Sequence, residues 1–252
     1  MEPILLLLGL VVPLSVAGLG GSEDTSHEGD IDGTNGQDDL SGTDGGDVIH
    51  GFAGDDGLSG GGGNDYIDGG AGSDTVIGGA GDDTLLGGDG QDDLHGEEGN
   101  DVVKGGAGDD TLGGEAGDDV LDGGAGADYV KGSGGDDVLS GGTGADVNDG
   151  AQDQLLGGNG NDTLYLGDGD QGWGENGSDS FHAAGGSVSV MDFNPAEDAL
   201  YVEVADPATE TFTQTLTASG LVITTSSGVQ VTLEGVGAIL ADEDIIITAI
   251  GT

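Results

Sequence analysis

The spacing of apolar residues divides this chain into three regions. Residues 4–19 are almost wholly apolar, residues 33–182 carry isolated aliphatic residues among Gly and Asp, and residues 183–252 alternate Val, Ile, Leu and Thr with polar residues. Triplets such as Thr84-Leu85-Leu86 suit a very short strand that points one side chain inward and two outward. The pattern therefore predicts an all-β protein whose middle region has a thin core.

The middle region repeats with a period of nine residues. Thirteen blocks run from Gly33 to Asp149 without an insertion, and two of them read GGAGSDTVI and GGAGDDTLL. Positions one and four are Gly and position six is Asp in every block, while position eight is Leu, Ile or Val in twelve. Beyond Asp149 the frame is irregular: residues 150–156 are two short of a block, and residues 166–173 are one short, with Gln171 where Asp is expected. We expect the first six positions to turn the chain, with the two invariant glycines supplying positive φ.

The invariant Asp is the candidate metal ligand. Equivalent carboxylates in stacked turns lie about 4.8 Å apart, where bare charges repel and a hard divalent cation can be ligated. Ca²⁺ takes about six to eight oxygens from carboxylates and backbone carbonyls, whereas Mg²⁺ dehydrates too reluctantly to fit as well. The predicted ligands are Asp38, Asp47, Asp56, Asp65, Asp74, Asp83, Asp92, Asp101, Asp110, Asp119, Asp128, Asp137, Asp146, Asp162 and Asp179.

These blocks resemble the RTX family, whose hemolysin-type calcium-binding repeat reads GGxGxDxUx, with U a large apolar residue. The resemblance covers residues 33–182. It implies a right-handed parallel β-roll in which two nonapeptides make one turn and Ca²⁺ lies between successive turns. Block n then stacks on block n+2, so thirteen blocks imply about eleven Ca²⁺ ions. The alternatives are permanent disorder, which the low aliphatic content favours, and a solenoid without metal.

Charge restricts the partners. The chain has 50 acidic and two basic residues, with a formal charge of −48. Such a surface repels phosphate backbones and anionic lipid and attracts cations, so we expect calcium ions as partners and no nucleic acid. Cysteine is absent, which excludes disulfides and thiolate sites, and the four His are scattered.

The N-terminal 20 residues predict a signal peptide or a short membrane anchor. The apolar run has the length of a signal-peptide core, and Ser15-Val16-Ala17 is a passable cleavage site, but no Lys or Arg precedes it. The third alternative is a misassigned start. Residues 21–32 form an acidic linker. Both main interpretations place the acidic body outside the cytoplasm, at the cell surface or in the medium, and less favourably in the periplasm. Membrane contact is expected only through residues 4–19, if they are not cleaved.

Residues 183–252 predict a β-rich cap that covers the last turn of the roll. The expected strands are 187–191, 200–204, 211–217, 221–225, 229–233 and 244–250. Residues 190–200 resemble an element that closes many RTX arrays, with Ala196-Glu197 replacing the expected Gly. A ligand-binding role is the alternative, and the acidic-then-apolar tail from Asp242 is also typical of a type I secretion signal, which conflicts with an N-terminal signal peptide.

The sequence contains no catalytic motif in the structural context that catalysis requires. Gly57-Leu58-Ser59-Gly60-Gly61 matches a hydrolase elbow only through repeat glycines, and the residues before the repeats are too few for a separate catalytic domain. Trp173 is expected in the core at the end of the roll, with a sugar-stacking role as the alternative. The sequence thus predicts an exported, non-enzymatic calcium-binding protein with a structural or surface role. The alternatives are an adhesin that binds a surface or glycan through the C-terminal sheet, and an accessory or fragment of a larger RTX toxin or hydrolase.

Overall fold

The computed structural model describes residues 30–142, 151–205, 207–241 and 244–249. Every regular element that it places is a β-strand, and no helix within these ranges is long and apolar enough to cross a membrane. The predicted signal or anchor over residues 1–20 and nearly all of the acidic linker lie outside the described residues.

Two sheets contain all the strands. One sheet has, in spatial order, β1 (Asp30–Asp32), β3 (Val48–Ala53), β5 (Tyr66–Ala71), β7 (Thr84–Asp89), β9 (Val102–Ala107), β11 (Val120–Ala125), β13 (Val138–Gly142), β15 (Thr163–Leu166), β17 (Ser180–Ala184), β19 (Ala199–Val204) and β23 (Ile245–Ala249). The other sheet has β2 (Asp39–Ser41), β4 (Gly57–Gly62), β6 (Thr75–Ala80), β8 (Asp93–Glu98), β10 (Thr111–Ala116), β12 (Tyr129–Gly134), β14 (Gln154–Asn159), β16 (Gln171–Asn176), β18 (Ser187–Val190), β22 (Gln230–Glu234), β21 (Gly220–Thr225) and β20 (Phe212–Leu216).

From β1 to β19 successive strands alternate between the two sheets, so the chain winds as a parallel solenoid of about nine turns. Each strand from β1 to β17 pairs in parallel with the strand two places further along the chain. Tyr66 lies opposite Thr84, and Thr84 lies opposite Val102, so the register repeats every eighteen residues. The prediction of a parallel β-roll with two nonapeptides per turn is confirmed.

The strands are longer, and the turns shorter, than the sequence predicts. Strand β7 covers not only the expected triplet Thr84-Leu85-Leu86 but also Gly87 to Asp89, the first three positions of the next block. The glycines do not end the strand, because their backbone groups continue the parallel ladder. Only positions four to six, here residues 90–92, turn the chain. Gly87 points inward like Leu85 and leaves space beside the core.

The core is one aliphatic side chain wide on each sheet. Position eight is buried in every complete turn, from Ile49 through Leu164. The irregular block breaks this rule, because Gly172 takes the inward place and the fully buried Leu166 occupies the space that a Cβ there would need, with Cδ1 2.8 Å from it. Trp173 therefore points outward and is half-buried, paired with Leu156, so its prediction as a core residue is wrong.

The C-terminal region contains a strand at each of the six predicted places. Two of these strands, β18 and β19, continue the parallel pairing of the roll. Strands β20, β21 and β22 then run antiparallel, and β22 and β23 pair in parallel with β18 and β19. Phe193 packs edge-on against Phe181, with ring centroids 6.1 Å apart. The last apolar turn is thereby covered.

The adjacent glycines Gly62 and Gly63 allow a test of whether positive φ and close packing require glycine in the turn. Gly63 has φ +98°, and a Cβ there would lie 2.6 Å from the Gly45 carbonyl carbon, whereas a Cβ on Gly62 would meet nothing within 3.6 Å. Ala80 already occupies the place opposite Gly62. We expect Gly63→Ala to destabilise the folded chain by more than about 1 kcal/mol and Gly62→Ala to be nearly neutral. Thermal unfolding of both variants in saturating calcium checks this, and equal melting temperatures would contradict it.

Candidate metal sites

Each repeat Asp stands at the end of a turn, directly before a strand. Asp38 is half-buried, and the other described members of the predicted set are buried, with exposed fractions of 1–3%. Asp146 lies outside the described residues. The carboxylates point into the roll, because the position-one glycine of the same block has no side chain to fill that space.

The aspartates form two columns, one along each sheet, joined by hydrogen bonds between turns. In each case a backbone N–H of one Asp donates to Oδ1 of the Asp one turn later, as from Asp47 to Asp65 at 2.7 Å and from Asp65 to Asp83 at 2.7 Å. The first column contains Asp38, Asp56, Asp74, Asp92, Asp110, Asp128, Asp153 and Asp170. The second column contains Asp47, Asp65, Asp83, Asp101, Asp119, Asp137, Asp162, Asp179 and Asp198.

Sequence reasoning missed Asp153, Asp170 and Asp198 as members of these columns. Asp128 and Asp137 reach partners 25 rather than 18 residues later, so seven extra residues lie within that turn. Because of this extra segment, the column of Asp128 continues at Asp153. Gln171 stands where the repeat frame expects Asp, but the column is continued by its neighbour Asp170. A count of residues from strand to strand, rather than from Gly to Gly, is the signal that finds both.

The second carboxylate oxygen has no donor along most of each column. Within the described residues, ten column aspartates have a buried Oδ2 with no hydrogen-bond partner. They are Asp56, Asp65, Asp74, Asp83, Asp92, Asp101, Asp110, Asp119, Asp137 and Asp162. A buried ionised oxygen without a partner is strongly unfavourable, so this arrangement requires something that the protein's own donors do not supply.

A carbonyl of the next turn approaches the same place. A Cβ built on Gly51 would lie 2.7 Å from Asp56 Oδ2 and 2.6 Å from the carbonyl oxygen of Gly69, one turn further along. The same pair of contacts recurs at Gly60, where the oxygens come from Asp65 and Gly78. A carboxylate oxygen of one turn and a carbonyl oxygen of the next therefore lie beside the same glycine. They occupy a space that any side chain at that position would fill.

Burial dominates the electrostatics of the columns. It raises the pKa of the carboxyls above the ordinary 3.8, more than the backbone N–H of the neighbouring turn lowers it, and adjacent carboxylates raise the pKa further. The pKa reaches about 7 for Asp119 and Asp162, and about 6 for Asp74, Asp83, Asp110 and Asp137. Without a cation, the stability from these protonated groups is present below about pH 3.8 and is lost as the pH rises through 6 to 7. At neutral pH the ionised columns therefore need a neutralising charge.

The donor set fits a hard cation that binds oxygen. No three His, Asp or Glu side chains converge on one point in the described part of the chain, so the oxygens brought together are a carboxylate of one turn and a backbone carbonyl of the next. Ca²⁺ accepts such a mixture, with oxygen distances of about 2.3–2.6 Å and flexible geometry. The unpartnered Oδ2 atoms and the glycine-lined spaces beside them are the places where it would be held.

A comparison with known families decides the identity of the repeats. The model of the RTX calcium-binding nonapeptide repeat matches residues 32–67, 59–94, 68–103, 86–121, 113–147 and 148–170, more than half of the chain. This chain belongs to the RTX calcium-binding repeat family. The RTX repeats bind calcium, and calcium ions are therefore partners of the roll.

Comparisons with individual proteins add little to the family match. No curated protein matches the chain. Among solved structures, the extracellular lipase LipA from Serratia marcescens is similar at 18% identity, over 89% of this chain and 41% of the lipase chain, with a TM-score of 0.33. The match thus spans less than half of the lipase.

A second row of hydrogen bonds, here called the exposed ladder, links the turns on their outer side. Its N–H donors belong to the later of two turns, whereas those of the aspartate columns belong to the earlier turn. Here the side chain at position five accepts from the position-five N–H one turn later, as from Asn100 to Asp82 Oδ1 at 2.9 Å and from Asp118 to Asn100 Oδ1 at 2.8 Å. Asp and Asn alternate freely in this exposed ladder. Its carboxylates are therefore interchangeable with amides, unlike those of the buried columns.

The two ladders supply a matched pair of variants. We expect Asp83→Asn to weaken the sites that Asp83 shares with Asp65 and Asp101, because an amide offers neither the charge nor the free oxygen, and to reduce the number of bound calcium ions by about one or two. Asp82→Asn, one residue away, should leave the number unchanged. Calorimetric calcium titration of the full chain measures both. An undiminished number for Asp83→Asn would contradict the assignment of the buried column as the ligand set.

Proposed function

We propose that this RTX chain is an exported calcium-binding protein that is disordered at low calcium and folds into its β-roll at extracellular calcium. The observation that carries the proposal is the row of ten buried Oδ2 atoms without donors. In a cation-free chain those atoms oppose folding at neutral pH, and ligation removes the opposition. Binding free energy then becomes folding free energy.

The thin core supports the same conclusion. Each nine-residue block buries one aliphatic side chain, such as Leu85 or Val103, against the backbone entropy of nine residues. The chain also carries a formal charge of −48, and about eleven Ca²⁺ ions would lower this to about −26. Neither core burial nor charge therefore favours the compact state until cations bind.

The role is proposed to be structural rather than enzymatic. Ser59, the serine of the only hydrolase-like motif that the sequence offers, lies within strand β4 and repeats the pattern of its neighbours. It is not at the sharp strand-to-helix turn that a nucleophile elbow requires. The roll is better suited to a calcium-stabilised spacer or surface component, and its acidic face does not favour nucleic acid.

Folding coupled to calcium is tested by circular dichroism and limited proteolysis of the full chain. In chelator we expect residues 33–182 to lack β-structure and to be digested rapidly. Millimolar Ca²⁺ should produce a steep gain of β-signal, because neighbouring turns must form together. Mg²⁺ at equal concentration should not substitute. The same β-signal and protease resistance in chelator as in calcium would overturn the proposal.

Export is supported by the apolar residues 4–19 ahead of an acidic body and by the calcium concentration that such modules need, about 10⁻⁴–10⁻³ M outside cells. We expect protease added to intact cells to digest the repeats, or the repeats to be present in the medium. Lysed cells give the control for digestibility. Complete protection in intact, secretion-competent cells would contradict an extracellular location.

A further inference from the structure

Outward side chains form one row across the sheet that contains β1. The paired strands place these residues side by side in the order Lys104, Asp122, Ser140, Tyr165, His182 and Tyr201. The ring centroids of Tyr201 and His182 are 4.5 Å apart, and those of His182 and Tyr165 are 4.7 Å apart. The three rings therefore follow the spacing of the strands, which is about 4.8 Å.

The stack of rings stops at Ser140. The Ser140 hydroxyl donates to the carbonyl of Gly142 on its own strand at 2.6 Å and so does not extend along the row. In the part of the chain that the structure describes, Tyr165 has a ring neighbour on its His182 side only. An open cavity of about 210 Å³ lies here, lined by Tyr165, Ser140, Asp122, Val120, Leu121 and Val138. Since a cavity of about 150 Å³ holds a benzene ring, this space suits one six-membered ring.

The wall of the cavity opposite Tyr165 lacks a hydrogen-bond donor. Asp122 lies on the other side of Ser140 from Tyr165, and its Oδ1 is buried without a hydrogen-bond partner. The last torsion of an Asp side chain has broad minima, so a small rotation presents either oxygen to the cavity. Val120 and Val138 flank the same space and are 45% and 36% exposed. The cavity thus combines one aromatic face, one apolar side and one acceptor that needs a donor.

We propose that this cavity binds a neutral pyranose that carries one axial hydroxyl, with Tyr165 against its apolar face and Asp122 accepting from that hydroxyl. A ring over Ser140 takes the next place in the stack, about 4.8 Å from Tyr165. The remaining strand spacing to Asp122 is close to the length of a C–O bond followed by an O–H···O hydrogen bond of about 2.7–2.8 Å.

This geometry selects a pyranose over a flat aromatic ring. An aromatic ring stacked on Tyr165 carries its donors in the ring plane, where they point away from Asp122. A pyranose has substituents on both faces, and in galactosides and mannosides the axial hydroxyl lies opposite an apolar face of C–H groups. Those C–H groups are attracted to the negative face of the Tyr165 ring. The formal charge of −48 disfavours acidic sugars, so the expected ligand is uncharged.

The proposal is tested by NMR titration of the full chain in saturating calcium with three sugars. Methyl β-galactopyranoside and methyl β-mannopyranoside have their axial hydroxyl at different carbons, and methyl β-glucopyranoside has none. We expect the galactoside or the mannoside to bind with a dissociation constant at least about tenfold lower than that of the glucoside, because the glucoside lacks the hydrogen bond to an ionised acceptor. Whichever of the two binds more tightly identifies the position of the recognised hydroxyl.

Three variants locate the site. Ser140→Leu fills the gap in the row with the chain's own side chain and should weaken binding at least about tenfold. Asp122→Ala should remove the preference for an axial hydroxyl while Tyr165 still stacks. Asp68→Ala is the matched control, because Asp68 belongs to the same row but does not line the cavity, and it should bind like the unmodified chain.

The comparison of sugars uses the unmodified chain, so it does not depend on the folding of any variant. Equal dissociation constants for the three sugars, or no binding of any of them, would overturn the inference. Circular dichroism in calcium shows whether each variant keeps the β-signal of the unmodified chain. A Ser140→Leu chain that keeps this signal and binds the preferred sugar undiminished would also overturn it.

Discussion

Oxygen atoms that the fold buries without a donor determine the rest of this molecule. In most of the described interior turns, as at Asp83, a carboxylate Oδ1 accepts the N–H of the preceding turn and its Oδ2 has no partner. The hydrogen bond to Oδ1 aligns successive turns. The unpartnered Oδ2 makes this alignment unfavourable at neutral pH unless a cation binds. A protein with two basic residues among 252 cannot supply that charge itself. Bound cations therefore favour the stacking of the ionised turns.

The nine-residue period follows from this constraint. A turn of three residues returns the chain, a strand of six carries one aliphatic side chain inward, and the next glycine leaves the space in which the carboxylate lies. Lengthening any of these parts would move the carboxylate off the column. The seven extra residues before Asp153 are tolerated because they lie within one connection and the register resumes beyond them.

The sequence was sufficient for the solenoid and the choice of column residues over residues 33–137, because three invariant positions leave one stacking register. It was not sufficient for conformational detail. Position-one glycine was expected to supply positive φ, but that conformation belongs to positions two and four, as in Gly70 and Gly72. Position-one glycine is required by close approach of oxygens instead. Such a distinction depends on contacts between turns, which a single block does not contain.

The ends of a solenoid raise a problem that its interior does not. A repeat that depends on both neighbours for its ligands would leave an incomplete site wherever the array stops, with a buried carboxylate and too few oxygens around it. Local hydrogen bonds reduce this problem, because Thr43 and Asn194 donate to one oxygen of carboxylates only four residues away and need no further turn. At Asp47 these hydrogen bonds reach only one of the two carboxylate oxygens, because Oδ1 is buried without a partner. The described columns thus differ at their ends from their interior, since each terminal carboxylate takes a hydrogen bond from a backbone N–H of its own loop.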